Sequence, residues 1–484
     1  MMNCKKVITF INVALFICIC IFNCFGPCKL FSLAGKNFSL SFYLSFIALP
    51  VFYISYFAFG RHDVDFIFKN LLAAFFLLSI SSMGMALIIS PTFSLLFNKT
   101  PMNVVFLGMA KYCYDIAMIP YFCFLLSFVK KKWTCRIIDI FIIVFICFGV
   151  FQCACFYINQ PLLWKAYDAV DVLKVIGGDS IVYARIRHNY GTFRFYGFAS
   201  EPAENCVLFC FLTLYLYWRI TKCFTSKKTL AFYCVCSILL GILAILTKSA
   251  SVLAGLLIIG IGLFAYGVYE KRISTKAIIA IVVSFCVLSV LLAIIPRTRV
   301  IFYQNFVLKL FDRTNQSTQY RYSTIWNDLC ILLQFPFFGV GDGNQGYFYA
   351  ANVSDTWMSA SPETQLALQG KMGLIGGGAA IPSFASGFRI FGLIVLVLCI
   401  RSYLIYAKKT NKKLSSLKPY LIMLGVSFFV LALATSGIHR NYWLFLFAAS
   451  PLLGRYAIDS RPLHQLCTHR TERYQEVAVT KYQL

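Results

Sequence analysis

The chain is 484 residues long, 60% hydrophobic and 13% charged, with a mean hydropathy of +0.76 and a formal net charge of +26. A soluble globular chain carries roughly 25% charged residues, so that class is excluded in favour of a polytopic α-helical membrane protein. The positive excess does not indicate nucleic acid, because the basic residues do not gather on one polar face or tail; they occur as short groups between apolar runs, as topology requires.

Taken in order, apolar runs at 7–25, 38–59, 71–90, 104–128, 137–157, 203–218, 230–246, 251–268, 277–295, 388–406, 420–435 and 442–453 predict about twelve membrane-spanning helices. The start, MMNCKK, resembles a signal peptide, but no small-residue cleavage site follows, so the run is read as the first span. Placing the N-terminus in the cytoplasm puts Lys5, Lys6, Arg61, Lys130–Lys132, Arg136, Arg219, Lys222, Lys227, Lys228, Lys271, Arg272, Lys276, Lys408, Lys409, Lys412 and Lys413 on the same side. The short loops opposite hold only Lys29, Lys36, Lys99, Lys248 and Arg440. This asymmetry sets orientation and leaves two large loops facing outward. The expected organisation is helices over 1–157, a first outward loop over 158–200, helices over 201–295, a second outward loop over 296–386, helices over 387–456 and a cytoplasmic tail over 457–484.

Most of the 20 cysteines lie in apolar runs without His or acidic neighbours, where a thiol serves as a small hydrophobe, so neither a metal site nor a disulfide framework is expected. Sequons stand at Asn37, Asn98, Asn315 and Asn352. Within the membrane runs, Lys111 and Asp115 share a helix face; they either neutralise one another or mark a proton or substrate path.

The first large loop ends in the most polar stretch of the chain, RIRHNYGTFRFYGFASEPAEN over 185–205. Alternation in IVYARIR, a turn at Asn189–Gly191 and alternation in TFRFY predict a hairpin with one apolar face and with Arg185, Arg187 and Arg194 on the other. Guanidinium groups so close repel unless an anion sits among them; the anion is either a phosphate or pyrophosphate ligand or the headgroups of anionic lipid. Glu201 and Glu204 follow at the start of a helix opened by Ser200 and Pro202. They either complement the helix dipole or supply a general base and its supporting partner.

The second large loop exceeds an ordinary connection, and loops of such length tend to be functional. Within it, 319–334 has helical spacing of Tyr322, Ile325, Trp326, Leu329 and Leu333, with Arg321 at its start and Asp328 about two turns on. The following GVGDG is a glycine-rich turn without the βαβ setting of a dinucleotide site. Tyr347, Tyr349 and Trp357 are candidate stacking surfaces for sugar rings or interfacial anchors.

The order of RFYGFASEPAENCVLF opening a helix, a tight hairpin with TKSASVLAGLL, and a large loop with RYSTIW and FPFFGVGDGN resembles the bacterial O-antigen, capsule and exopolysaccharide repeat-unit polymerases, which share a superfamily with the O-antigen ligases. The resemblance spans roughly 183–400. It implies a membrane-embedded glycosyltransferase of GT-C-like architecture in the bacterial inner membrane, acting on undecaprenyl-pyrophosphate-linked oligosaccharide, with no metal, cofactor or nucleic acid. A chain-length regulator and a flippase are the protein partners it suggests. It further implies that Arg185, Arg187, Arg194 and Arg321 hold the pyrophosphate and stabilise its leaving charge, that Glu201 is the first candidate for the base, and that Glu204 and Asp328 lend support. Ligases of the superfamily carry a histidine in the second large loop; 296–386 contains none, and His188 and His439 are the outward histidines, which favours polymerase over ligase. A flippase is the third alternative, although such transporters tend to show paired halves.

Overall fold

The computed structural model describes residues 2–22, 28–33, 36–38, 40–59, 65–91, 100–128, 131–172, 193–197, 205–222, 227–269, 303, 313, 316–369 and 380–410. The apolar runs within these residues form helices: α1 Met2–Phe22, α2 Leu40–Phe59, α3 Asp65–Ile89, α4 Pro101–Phe128, α5 Lys131–Ile158, α7 Cys206–Lys222, α8 Lys227–Leu246, α9 Ala250–Tyr269 and α13 Ala380–Thr410. Stretches of four of them, Lys69–Ile89, Cys135–Ile158, Lys228–Leu246 and Ser383–Lys409, are long and apolar enough to cross a membrane, and shorter apolar stretches lie in α1, α2, α4, α7 and α9. In lipid each backbone polar group must be satisfied within its own segment, which is why such runs become helices. The predicted spans at 277–295, 420–435 and 442–453 and the polar tail lie outside the described residues.

Two elements were not expected. Cys28–Leu33 (β1) and Lys36–Phe38 (β2) pair antiparallel as a small ribbon between α1 and α2, so the chain is helical apart from this hairpin among the described residues. The first large loop begins with a helix, α6 Pro161–Val172, whose Trp164 and Tyr167 are buried against α5. Asn159 adopts a positive φ of 51° there and its Oδ1 accepts from Trp164 Nε1 at 2.8 Å.

Two apolar clusters hold the bundle. The larger joins α1, α2, α5, α7, α8, α9, the C-terminal half of α4, the start of α3 and the end of α13 around Phe16, Phe52, Tyr121, Phe145 and Phe209. The smaller joins α3, α13 and the N-terminal half of α4 around Leu78, Val105 and Phe388. Cysteines 123, 135, 155, 206, 210 and 236 are buried and unoxidised, in line with their reading as small hydrophobes. At the far end of the large cluster, Arg219 of α7 pairs with Asp139 of α5 at 3.0 Å. Asp139 also accepts from Tyr215 at 2.7 Å and from Tyr233 at 3.0 Å, so one carboxylate ties three helices together.

The second large loop folds into a small helical unit: α10 Gln316–Gln334, α11 Gln345–Val353, a 3-10 turn Trp357–Ala360 and α12 Pro362–Leu368. Ser361 caps α12 by accepting from the Thr364 amide at 3.0 Å. The glycine-rich turn between α10 and α11 is the joint that seats this unit on the bundle. Val340 and Gly341 donate to the carbonyls of Ser386 and Gly387 at 3.1 and 2.9 Å. There α13 is broken at Arg389 (φ 45°, ψ −119°), and the break is stitched back by Arg389 Nε to Phe335 O at 3.1 Å and Ile390 N to Phe337 O at 3.3 Å. Gly339 has φ +71°, and a Cβ there would lie 2.5 Å from the Gly387 carbonyl oxygen, so only glycine fits this approach. On the other side, Asp342 packs against Gly108 of α4 and its amide donates to Ser82 Oγ of α3 at 3.3 Å.

Candidate functional site

Two places carry the chemistry-bearing residues among those described. The first is residues 193–197, the end of the first large loop. The sequence predicts that this segment pairs with 181–187 in a hairpin; residues 181–192 lie outside the described residues, and 193–197 is bonded to α5, to the end of α8 and to Asn205. Phe195 N donates to Leu246 O at 2.8 Å and Arg194 Nε donates to Thr247 O at 2.9 Å. These carbonyls belong to the last turn of α8, where unsatisfied C=O groups attract a cation. Tyr196 O accepts from Asn205 Nδ2 at 2.7 Å. Gln152, buried in α5, makes two reciprocal bonds with Gly197, receiving its N–H at 3.2 Å and donating to its C=O at 3.3 Å. Phe193, Phe195 and Tyr196 are all buried, so Tyr196 does not share the more exposed side with Arg194 as simple alternation implied.

The result is a clasp that holds Arg194 at the turn between α8 and α9. Its Nε bond fixes the plane of the guanidinium, and Lys248 stands at the same turn with φ 48°. Burial lowers the Lys248 ammonium pKa, and the neighbouring Arg194 charge lowers it further. The turn thus brings two cations into electrostatic contact, a setting compatible with an anionic group. Arg185, Arg187, Glu201 and Glu204 lie outside the described residues, on either side of this clasp in the chain.

Neither Gln152 nor Lys248 was read as a site residue. The lone amide in the apolar run FQCAC was the available signal, because a buried amide needs partners. Replacing Gln152 with leucine is expected to loosen 193–197 by at least about 1.4 kcal/mol, seen as trypsin cleavage after Arg194 that quickens about tenfold. Unchanged cleavage would place the restraint elsewhere.

The second place is α10. Arg321 lies on its exposed side, and Asp328 is fully buried. They do not meet: Asp328 Oδ1 accepts from Ser386 Oγ of α13 at 2.7 Å, and its Oδ2 has no partner. Gln345 Nε2 donates to Ser383 O at 3.0 Å and stands 3.4 Å from Ser386 Oγ, while the oxygens of the Gln345 and Asn344 side chains are also buried without partners. This pocket is rich in acceptors and short of donors. Burial therefore pushes the Asp328 carboxyl up to about 7, with the Ser386 bond opposing the shift. At neutral pH it holds a proton much of the time, so its place is inside the joint between α10 and α13.

The aromatics of this unit divide. Tyr347 and Tyr349 are buried, the latter with its hydroxyl against Ser323 Oγ, so neither offers a stacking face for a sugar. Trp357 is 41% exposed, with the Arg313 guanidinium 5.5 Å above its ring and Tyr322 edge-on at 6.2 Å. Among the sequons, Asn352 donates its amide to Asn327 Oδ1 at 2.9 Å. Lys111 and Asp115 lie on α4, with their side chains outside the described residues.

The architecture is thus that of a helical membrane protein with a folded polar unit set on its spans and a cation pair at a helical hairpin. Residues 235–381 match the family model described as O-antigen ligase, and the chain carries a domain of that family. The matched residues run from within α8 through α12, with Lys248, Arg321, Asp328 and the glycine joint; the clasp at 193–197 lies ahead of them. No curated protein matches the chain. The family acts in polysaccharide biosynthesis, as ligases and polymerases of lipid-linked glycans.

Proposed function

We propose that this chain is a repeat-unit polymerase of the bacterial inner membrane. It transfers a growing glycan from undecaprenyl pyrophosphate to the non-reducing end of a new lipid-linked repeat unit on the outward face, with both termini in the cytoplasm. The observation that carries the reading is the match of 235–381 to the O-antigen ligase family. Within that family, the absence of histidine from 296–386 favours polymerisation over ligation, in keeping with the sequence resemblance.

In this scheme an acceptor hydroxyl attacks the anomeric carbon, the bond from that carbon to the pyrophosphate oxygen breaks, and the proton passes to Glu201. Arg185, Arg187, Arg194 and Arg321 hold the pyrophosphate and offset its growing charge, work suited to fixed guanidinium groups. The Nε bond of Arg194 to Thr247 supports such a role by orienting the group before substrate arrives. Glu204 assists Glu201. Asp328 supports the site indirectly, through the α10–α13 joint. No metal or cofactor enters the scheme, and a chain-length regulator and a flippase are the expected partners.

The test is a chromosomal deletion complemented with wild type, Arg187→Ala, Arg321→Ala or Glu201→Gln, with surface polysaccharide resolved on gels and membrane levels checked. The deletion should leave single repeat units on their acceptor, and each variant should fail at normal protein levels. Long polymer retained on its lipid carrier would make the protein a ligase; unpolymerised units on the cytoplasmic side would make it a flippase. Full-length polymer from every variant would remove these residues from the mechanism.

A further inference from the structure

Helix α10 is inside out for a helix in water. Tyr322, Trp326, Leu329 and Leu333 recur along one side and are 37%, 45%, 45% and 83% exposed. The opposite side is buried and mostly polar: Ser323, Thr324, Asn327 and Asp328, with Ile331 the apolar exception that packs on the bundle. That polar side is bonded into the fold, with Asn327 Nδ2 donating to Gln345 O at 3.0 Å and Asp328 Oδ1 accepting from Ser386 Oγ at 2.7 Å. A surface helix in water shows the reverse pattern, and large apolar side chains left in water forgo the gain of burial.

The exposed stripe adjoins another apolar surface. Beyond Leu333 come Phe337 and Phe338, 66% and 53% exposed, and Phe338 stacks on Phe391 of α13 at 5.9 Å. From there Ile390, Leu393, Ile394 and Val397 form the outer face of a helix long and apolar enough to cross a membrane. At the other end of α10 the stripe finishes in Tyr322, Trp357, Arg313 and the exposed Arg321. Aromatics with flanking arginines are the usual composition at the level of lipid headgroups.

We propose that α10 lies in the plane of the membrane interface, with the Tyr322–Leu333 stripe seated in the lipid where the outer face of α13 enters the bilayer. The occupant is the bilayer itself, because the stripe runs on from a span's lipid-facing side and ends in headgroup-type residues. The second large loop is then anchored by its own helix as well as by the glycine joint. This holds whichever reaction the protein performs.

The test places benzoyl-phenylalanine at Trp326 or Leu333 of the full chain in vesicles of phosphatidylethanolamine and phosphatidylglycerol. After irradiation, intact mass should show phospholipid adducts in yields like those at Leu393, and these should be lost at the exposed Asp355. Cross-links between two copies of the chain would assign the stripe to self-association, and absence of adducts would assign it to water; either overturns the proposal. In parallel, the unlabelled protein in lipids brominated near the headgroup end of the acyl chain should lose a quenchable part of its fluorescence on Trp326→Phe. Quenching unchanged by that substitution also overturns it.

Discussion

Replacing Arg219 with leucine is expected to destabilise the protein by about 1.5–3 kcal/mol, the range for hydrogen bonds to charged groups, because the ion pair it breaks is half-buried. Asp139 would remain among α5, α7 and α8 with only two tyrosine hydroxyls to balance its charge. Arg219 also donates through Nε to Tyr233 Oη at 2.7 Å and lies 4.6 Å above that ring, so its removal unfastens α7 from α8 as well. Adding Asp139→Asn to Arg219→Leu should recover most of the loss, because the amide oxygen still accepts from the tyrosines while the uncompensated charge is gone. Unfolding in mixed micelles at increasing fractions of denaturing detergent would measure both. A double variant as unstable as the single one would show that packing of the arginine stem, rather than charge, holds the three helices.

The second large effect concerns Asp328 and pH. Its carboxyl is raised by burial to about 7 in the fold, against about 4 in an unfolded chain. Below about pH 4 both states are protonated, and the stability tied to the neutral form is fully present. Between that value and about 7 the unfolded chain ionises while the folded one holds its proton, so stability falls as pH rises. Above about 7 the loss is complete and the curve flattens. Asp328→Asn keeps the shape and removes the ionisation. The difference in stability between wild type and variant should therefore move by about 2–4 kcal/mol in favour of the variant between pH 4 and pH 8. A pH-independent difference would mean that water or a donor reaches the Asp328 carboxylate.

These effects also show which parts of the molecule can be read from residues alone. Apolar run length located the helices from α1 to α5 and the pair α8 and α9, and helical spacing located α10 within a few residues of its start, because each depends on local composition. The helix at Pro161–Val172 escaped because its stabilising partners, such as Gln152 with Tyr167 at 3.2 Å, come from another element, and the ribbon at Cys28–Phe38 because its two strands are too short for alternation to show. Arg219 was read as a charge that sets orientation; only the packing of α5 beside α7 reveals Asp139. Helical spacing found the apolar stripe of α10, but spacing cannot say which side faces inward; that was decided by Ser386 and Gln345, distant partners for the polar side. Of the candidate site, Arg194 was legible as a cation but not its attachment to Thr247, which requires a contact across two intervening helices.

That attachment constrains the order in which the protein is made. Residues 193–197 are synthesised before α7, yet their backbone and Arg194 bond to carbonyls at the end of α8. During translation the segment must wait, unfastened, until both α7 and α8 have entered the membrane and Leu246 and Thr247 have emerged beside it. Assembly of the first large loop is thus timed by a hairpin made some fifty residues later, and a nascent chain halted before that hairpin would display the arginine stretch open to proteases and misplaced partners.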